Sequence, residues 1–127
     1  MHIVMGMTMR AVVKVFKALS DETRLRILNV LLERECCVCE VMQALEISQT
    51  RASRNLSALY DAGLLKLRRD GCWALYSIDE DALKGYTVDV LSAVRKALEG
   101  NQMVAQDKAR LMNARRVGIK CEMAKAA

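Results

Sequence analysis

Along the first half of the chain the apolar positions fall at three- and four-residue intervals, the spacing that gives a helix one buried face. Val12, Val13, Phe16 and Leu19 recur in this way between Met9 and Leu19, with Arg10, Lys14 and Lys17 opposite, and predict a first helix. Ser20-Asp21-Glu22 then offers an N-cap followed by acids in a first turn, and Leu25, Leu28, Leu31 and Leu32 carry a second helix to about Glu33. Val38, Val41, Met42 and Leu45 predict a short third helix that stops near Glu46-Ile47. Ser48-Gln49-Thr50 restarts a helix, whose inward positions Ala52, Leu56 and Leu59 run up to a stop at Gly63. Two short helices joined by a tight turn form the helix-turn-helix pattern.

The period changes after Gly63. "LLKLRRDGCWALYSI" alternates loosely and holds Asp70-Gly71, a pair that favours a two-residue hairpin turn. Pairing about that turn sets Arg69 opposite Cys72, Arg68 opposite Trp73 and Leu67 opposite Ala74, a small ribbon with a cationic tip. Asp79 then caps a helix with Leu83, Tyr86, Val90, Val94 and Ala97 at helical intervals, ended or bent by Gly100-Asn101. The fold class expected is mainly α with a small β-hairpin wing, a winged helix-turn-helix. Residues 1–98 are expected to form one winged helix-turn-helix domain. Residues 99–127 form a basic tail, helical or mobile, in which Lys108, Arg110, Arg115, Arg116, Lys120 and Lys125 outnumber Asp107 and Glu122.

Composition narrows the class. The 127 residues suit one small domain, and the absence of proline favours uninterrupted helices. Twenty Lys and Arg against 15 Asp and Glu leave a formal charge of +5, which suits a polyanionic partner. No stretch approaches the roughly 18 apolar residues of a membrane span, and the start lacks a basic-then-apolar leader, so a cytoplasmic location and no membrane partner are expected. Five cysteines, an odd number, argue against a secreted disulfide framework and for reduced thiols. One histidine and scattered acids assemble no general base, phosphate loop or substrate pocket, so an enzyme is not expected.

"ALSDETRLRILNVLL", "ISQTRASRNLSALYDAGLL" and "RRDGCWALYSI", in that order, resemble the ArsR/SmtB family of bacterial metal-sensing repressors over roughly residues 12 to 98. The resemblance implies a homodimer on palindromic operator DNA, dimerised through the first helix and the helix after Asp79. The residues agree with a DNA-reading role on their own account. Ser48, Gln49, Thr50, Arg51, Ser53 and Arg54 are the small polar and basic types that the N-terminal end of a recognition helix brings into a major groove. Gln suits adenine edges, and Arg suits guanine or phosphate. Arg68 and Arg69 on the wing are expected to grip phosphates or a minor groove.

"ECCVCE" places Cys36, Cys37 and Cys39 within four residues at the head of the third helix, where backbone N–H groups favour thiolate. In arsenic-responsive members of the resembled family the stretch reads Glu-Leu-Cys-Val-Cys-Asp-Leu-Cys. Cys37 and Cys39 match its central pair, its leucine is Cys36 here, and its last cysteine falls on Met42. Cys36 is therefore the simplest third thiol, with Cys72 and Cys121 in reserve. Soft thiolates without histidine favour As(III) or Sb(III) as inducer, with Cd(II), Pb(II) or a thiol oxidant or persulfide as alternatives. Since residues i and i+2 of a regular helix project from different faces, Cys37 and Cys39 are expected to share an ion only after the helix start unwinds.

Overall fold

The computed structural model describes residues 8–81 and 86–117. Six helices and a hairpin follow in the order α1 (Met9–Leu19), α2 (Glu22–Glu33), α3 (Val38–Leu45), α4 (Gln49–Asp61), β1 (Leu65–Asp70), β2 (Trp73–Ile78), α5 (Tyr86–Ala97) and α6 (Gln102–Leu111). This is the expected winged helix-turn-helix, and α1 to α4 fall where the apolar spacing puts them. Their starts are set by side-chain caps. Asp21 accepts the Arg24 N–H at 3.0 Å and Ser48 accepts the Arg51 N–H at 3.1 Å, each satisfying a backbone donor that a helix start leaves open. Leu83, one of the apolar positions assigned to the helix after Asp79, and Cys121 in the tail lie outside the described residues.

α2 is the central element, packed against α1, α3, α4, α6 and β2. Its Ile27, Leu28 and Val30 are fully buried together with Val15, Val41, Leu56, Leu59, Leu64 and Leu75. Each such side chain contributes about 1.5–3 kcal/mol relative to exposure. α3 and α4 are joined through Glu46, Ile47 and Ser48, and the turn is made by Glu46 in the left-handed conformation at φ 55°.

The hairpin departs from the expected register by one step in the loop. Asp70 pairs with Trp73, Arg69 with Ala74, Arg68 with Leu75 and Leu67 with Tyr76, so that Gly71-Cys72, not Asp70-Gly71, is the two-residue turn. The reason is Gly71 itself, at φ 62°: the tight hairpin turns require a positive φ at their first central position, which glycine adopts without a steric penalty. A second feature joins the wing to the body. Cys36 bridges Tyr76 in antiparallel fashion, with N to O distances of 2.9 and 2.8 Å, so this residue, two before the start of α3, extends the hairpin by an isolated bridge.

The tail begins as an ordered helix. Asn101 caps α6, and Val104, Asp107 and Leu111 face inward against α2 and α3. Asp107, 1% exposed, receives two hydrogen bonds from Arg26, both 2.8 Å, and a third from Arg110 at 2.8 Å. The same two arginines reach the open carbonyls at the end of α3: Arg110 donates to Ala44 at 2.7 Å and Arg26 to Leu45 at 3.1 Å. Cations at a helix C-terminus are favoured by its dipole as well as by these bonds. No helix among the described residues is long and apolar enough to cross a membrane.

Candidate effector site and nucleic-acid interface

The start of α4 is presented to solvent. Gln49, Thr50, Arg51 and Arg54 are exposed and Ser53 is half-buried, while Ser48 is the exposed cap. Arg51 also donates to Thr23 Oγ1 of α2 at 2.7 Å, and Asn55 accepts from Arg24 at 3.3 Å. Arg24 in turn holds the last carbonyls of α1, Ala18 at 2.7 Å and Lys17 at 3.2 Å. α4 is thus bolted to α1 and α2 by two arginines, and of the six residues named on it two have structural uses, Ser48 as the cap and Arg51 through Thr23.

On the wing the two arginines differ. Arg69 is exposed on β1, whereas Arg68 makes a two-pronged ion pair with Glu35, its Nε standing 2.9 Å from Oε2. The hydrogen bond from Arg68 holds the Glu35 carboxyl below its ordinary range, and Glu35 raises the guanidinium of Arg68 in return. Arg68 is therefore committed to the residue next to the cysteine cluster, and is open to another anion only by giving up that partner.

The three clustered cysteines separate into a pair and a single. Cys37 is the N-cap of α3 with extended backbone, φ −83° and ψ 171°, so it stands outside the helix rather than in its first turn. Its side chain consequently turns toward Cys39, and the two sulfurs form a disulfide across Cα atoms 5.5 Å apart. This corrects two expectations. The sequence favours thiols throughout, whereas Cys37–Cys39 is bonded and Cys72 is also disulfide-bonded. Helical spacing demands that the helix start unwind before Cys37 and Cys39 can meet, but an N-cap residue is free of the helical projection on which that demand rests.

Cys36 faces the other way. Its side chain is buried in the core, its sulfur lies 3.5 Å from the Arg34 carbonyl, and burial pushes its thiol up to about 12, against the opposing pull of Arg34. Among the described residues no three His, Cys, Asp or Glu side chains are grouped as a metal site.

Around the pair stand residues to which the sequence alone assigns no role. Glu40, 2% exposed, accepts the Cys37 N–H at 3.0 Å, Arg34 at 2.5 Å and Arg116 at 3.0 Å. Its place three residues after the N-cap is the acidic position of a capping box, a signal readable in "CVCE" once Cys37 is taken as the cap. Gln43 exchanges two hydrogen bonds with the backbone of Arg115, at 2.6 and 3.0 Å. The Val117 N–H then reaches Cys39 Sγ at 3.3 Å, and Arg116 stands 3.9 Å from Asp70 of the wing. The segment after α6 lies along α3, over Cys39, and touches the hairpin. No local pattern announces it, because all of its partners are distant in sequence.

The fold is a winged helix-turn-helix with a sulfur pair at the head of α3, and comparison with known proteins gives its class. Residues 21–66 match the family described as bacterial regulatory protein, arsR family. The chain is 47% identical over 74 residues to a cadmium resistance transcriptional regulatory protein CadC homolog of Staphylococcus aureus, covering 58% of this chain and 61% of that one. It is 34% identical over 88 residues to the arsenical resistance operon repressor of Bacillus subtilis, covering 68% and 84%. Among solved structures, the homodimeric winged helix-turn-helix DNA-binding domain Mb0332 of Mycobacterium bovis, a possible ArsR-family regulator, superposes with a TM-score of 0.60 at 28% identity, over 78% of this chain and 94% of that one. The chain belongs to the ArsR family, a family of transcriptional regulators and not of enzymes. Its match spans about three-fifths of the CadC homolog.

Proposed function

We propose that the protein is a homodimeric, DNA-binding repressor of a metal- or metalloid-resistance operon, released from its operator when As(III) or Sb(III) bonds to the cysteines at the head of α3. The observation that carries this reading is the convergence of Cys37 and Cys39 on the element that supports the recognition helix. In the reduced protein the same two sulfurs are thiols side by side, and soft trivalent ions take such ligands. The third sulfur for arsenite comes from Cys36 after local opening, or from Cys72 or Cys121. DNA is met by Gln49, Thr50, Ser53 and Arg54 with Ser48 and Arg51 at the edge, and by Arg69 and, once freed, Arg68. Dimerisation uses α1 and α5, whose Met9, Val13, Phe16 and Val88 expose apolar surface.

An ion that favours a rearranged α3 shifts the population away from the DNA-bound form by its differential affinity, and DNA weakens ion binding by the same factor. The test is fluorescence anisotropy of a labelled operator with reduced protein under arsenite, antimonite, Cd(II) and Pb(II). Release by arsenite in the natural chain but not in Cys37→Ser or Cys39→Ser supports the reading, and retention of the natural chain on DNA under all four ions refutes it. One observation favours a second reading. The Cys37–Cys39 disulfide is the product expected of a thiol-oxidation or persulfide sensor, which peroxide or polysulfide would release in the absence of metal.

A further inference from the structure

Arg116 lies beyond α6, outside the residues that match the family, and reaches two acids from two different elements. Its Nε donates to Oε1 of Glu40 at 3.0 Å, and its Nη1 stands 3.9 Å from Oδ2 of Asp70 at the end of β1. The side chain of Glu40 is 3% exposed, that of Arg116 31% and that of Asp70 57%, so the guanidinium runs from a buried carboxylate to an exposed one. The backbone is placed for this reach. Ala114 packs on the core, and the Gln43 side chain clasps Arg115 by both backbone groups, accepting from its N–H at 3.0 Å and donating to its carbonyl at 2.6 Å. With the Val117 N–H on Cys39 Sγ at 3.3 Å, the chain on both sides of Arg116 is held to α3.

The hairpin needs such holds, because two strands alone are marginal in water. Its inner part is tied by the bridge from Cys36 to Tyr76, and its middle by Glu35 on Arg68. Asp70 is farther out, paired with Trp73 at the last step before the turn, and directly follows the exposed Arg69. We infer that Arg116 is a positioning residue for DNA binding: it fastens the outer end of the wing to the head of α3, through Asp70 and Glu40, and so orients Arg69 toward the operator. The inference rests on the reading of the hairpin as a DNA contact, and brings the segment after α6 into it. Glu40 is shared with Arg34, so the buried carboxylate keeps one cation when Arg116 is replaced.

The test uses the full chain under a phosphine, which opens the disulfides, that of Cys72 in the turn included, so that the ion pair is read alone. Operator affinity is measured by fluorescence anisotropy for the natural chain, Arg116→Gln, Asp70→Asn and the double variant. Arg116→Gln should weaken binding about three- to fivefold, the size of a partly exposed ion pair, and should cost nothing further where Asp70 is already Asn. An equal loss in both backgrounds, with a salt slope shallower by about one unit, is the mark of a direct phosphate contact and overturns the inference, as does no loss in either. Trp73, the only tryptophan, reports the wing without DNA. Its anisotropy should decay faster in Arg116→Gln and in Asp70→Asn than in the natural chain, and equal decay also overturns the inference. Should Arg116→Gln fail to fold by circular dichroism, Asp70→Asn, at an exposed position, is held to the Trp73 criterion alone. Arg69→Ala separates the inference from the reading beneath it. Unchanged operator affinity in that variant, with faster Trp73 motion in Arg116→Gln, refutes the wing as a DNA contact and leaves the fastening standing. Weaker binding in that variant, with unchanged Trp73 motion in Arg116→Gln, leaves the DNA contact standing and overturns the fastening.

Discussion

Asp107→Ala should destabilise the protein by about 3 kcal/mol, because it removes one side of a buried ion pair and leaves the other side in place. The structure fixes both halves of that argument. Asp107 is 1% exposed and Arg26 only 14%, and they meet through two hydrogen bonds of 2.8 Å, the forked geometry in which Arg and carboxylate match best. After the substitution Arg26 keeps one partner, the Leu45 carbonyl, for a largely desolvated guanidinium. Loss of an exposed pair would cost at most about 1 kcal/mol, so the two cases are separable by experiment. Urea titration followed by circular dichroism gives the free energy, with Asp107→Asn as the variant that preserves shape. In the double variant Arg26→Ala/Asp107→Ala the penalty should be smaller than the sum of the single ones, since the stranded charge is gone. A second readout follows from the path of the chain. α6 leads into the segment that lies over Cys39, so in the reduced Asp107→Ala protein Cys39 should react faster with an aromatic disulfide than in the natural chain. A destabilisation below about 1 kcal/mol with unchanged thiol reactivity would show that α6 is not anchored as described.

Glu35→Gln should release Arg68 to phosphate, tightening operator binding and steepening its dependence on log salt by close to one unit, as measured by anisotropy across a salt series. Since the Glu35 carboxyl titrates below its ordinary value, the latch to Arg68 contributes above that value and is lost as pH falls through the depressed one; acid titration by NMR of the Arg68 side chain should show the transition below pH 4.5 in the natural chain and none in Glu35→Gln. Gln49→Ala/Arg54→Ala should weaken operator binding by about 1–3 kcal/mol for each bidentate base pairing that the two side chains make, and should leave arsenical uptake unchanged; equal gel-shift affinity would remove α4 from base reading. In the reduced protein at pH 8, iodoacetamide should label Cys37 and Cys39 well before Cys36, whose thiol is held protonated up to about 12, and labelling of all three at one rate would contradict its burial.

The parts of the fold that can be read from sequence are those whose causes are local. α1 to α4 follow from helical spacing; Ser48 is the expected cap of α4, whereas α2 is capped by Asp21, one residue after the expected Ser20. The wing follows from the change of period, but its turn residues do not: Asp70-Gly71 and Gly71-Cys72 are both acceptable two-residue loops, and strand pairing decides between them. Cys37 and Cys39 are legible as a cluster and not as a pair. That they meet depends on which residue is the cap, and a cap and a first-turn residue differ in backbone geometry more than in sequence pattern. α6 is the least legible element. Its stability comes from Arg26, Arg34 and the end of α3, all far away in the chain, so its weak apolar periodicity understates it.

α3 is held at both ends by groups that belong to different parts of the molecule, and this makes it suited to a switch. At its head, Glu40 takes the Cys37 N–H together with Arg34 and Arg116, and Cys36 is bridged to the wing through Tyr76. At its end, Arg26 and Arg110 hold the last carbonyls, three residues before α4 begins. A change in the separation of the two sulfurs acts first on the head. From there two connections lead outward, one through Cys36 and Tyr76 to the hairpin that carries Arg68 and Arg69, the other along α3 to the start of α4, the two regions that meet DNA under the proposed function. Arsenite, if it recruits Cys36, breaks the bridge to the wing and strands Glu35 and Arg68 in a new arrangement. Under the proposed function, tight binding at the pair and complete release of DNA are therefore separable properties. Shifting a population from 1:99 to 99:1 takes about 5.5 kcal/mol of differential affinity, so under the proposed function the size of the rearrangement, and not the tightness of binding alone, sets the strength of an inducer.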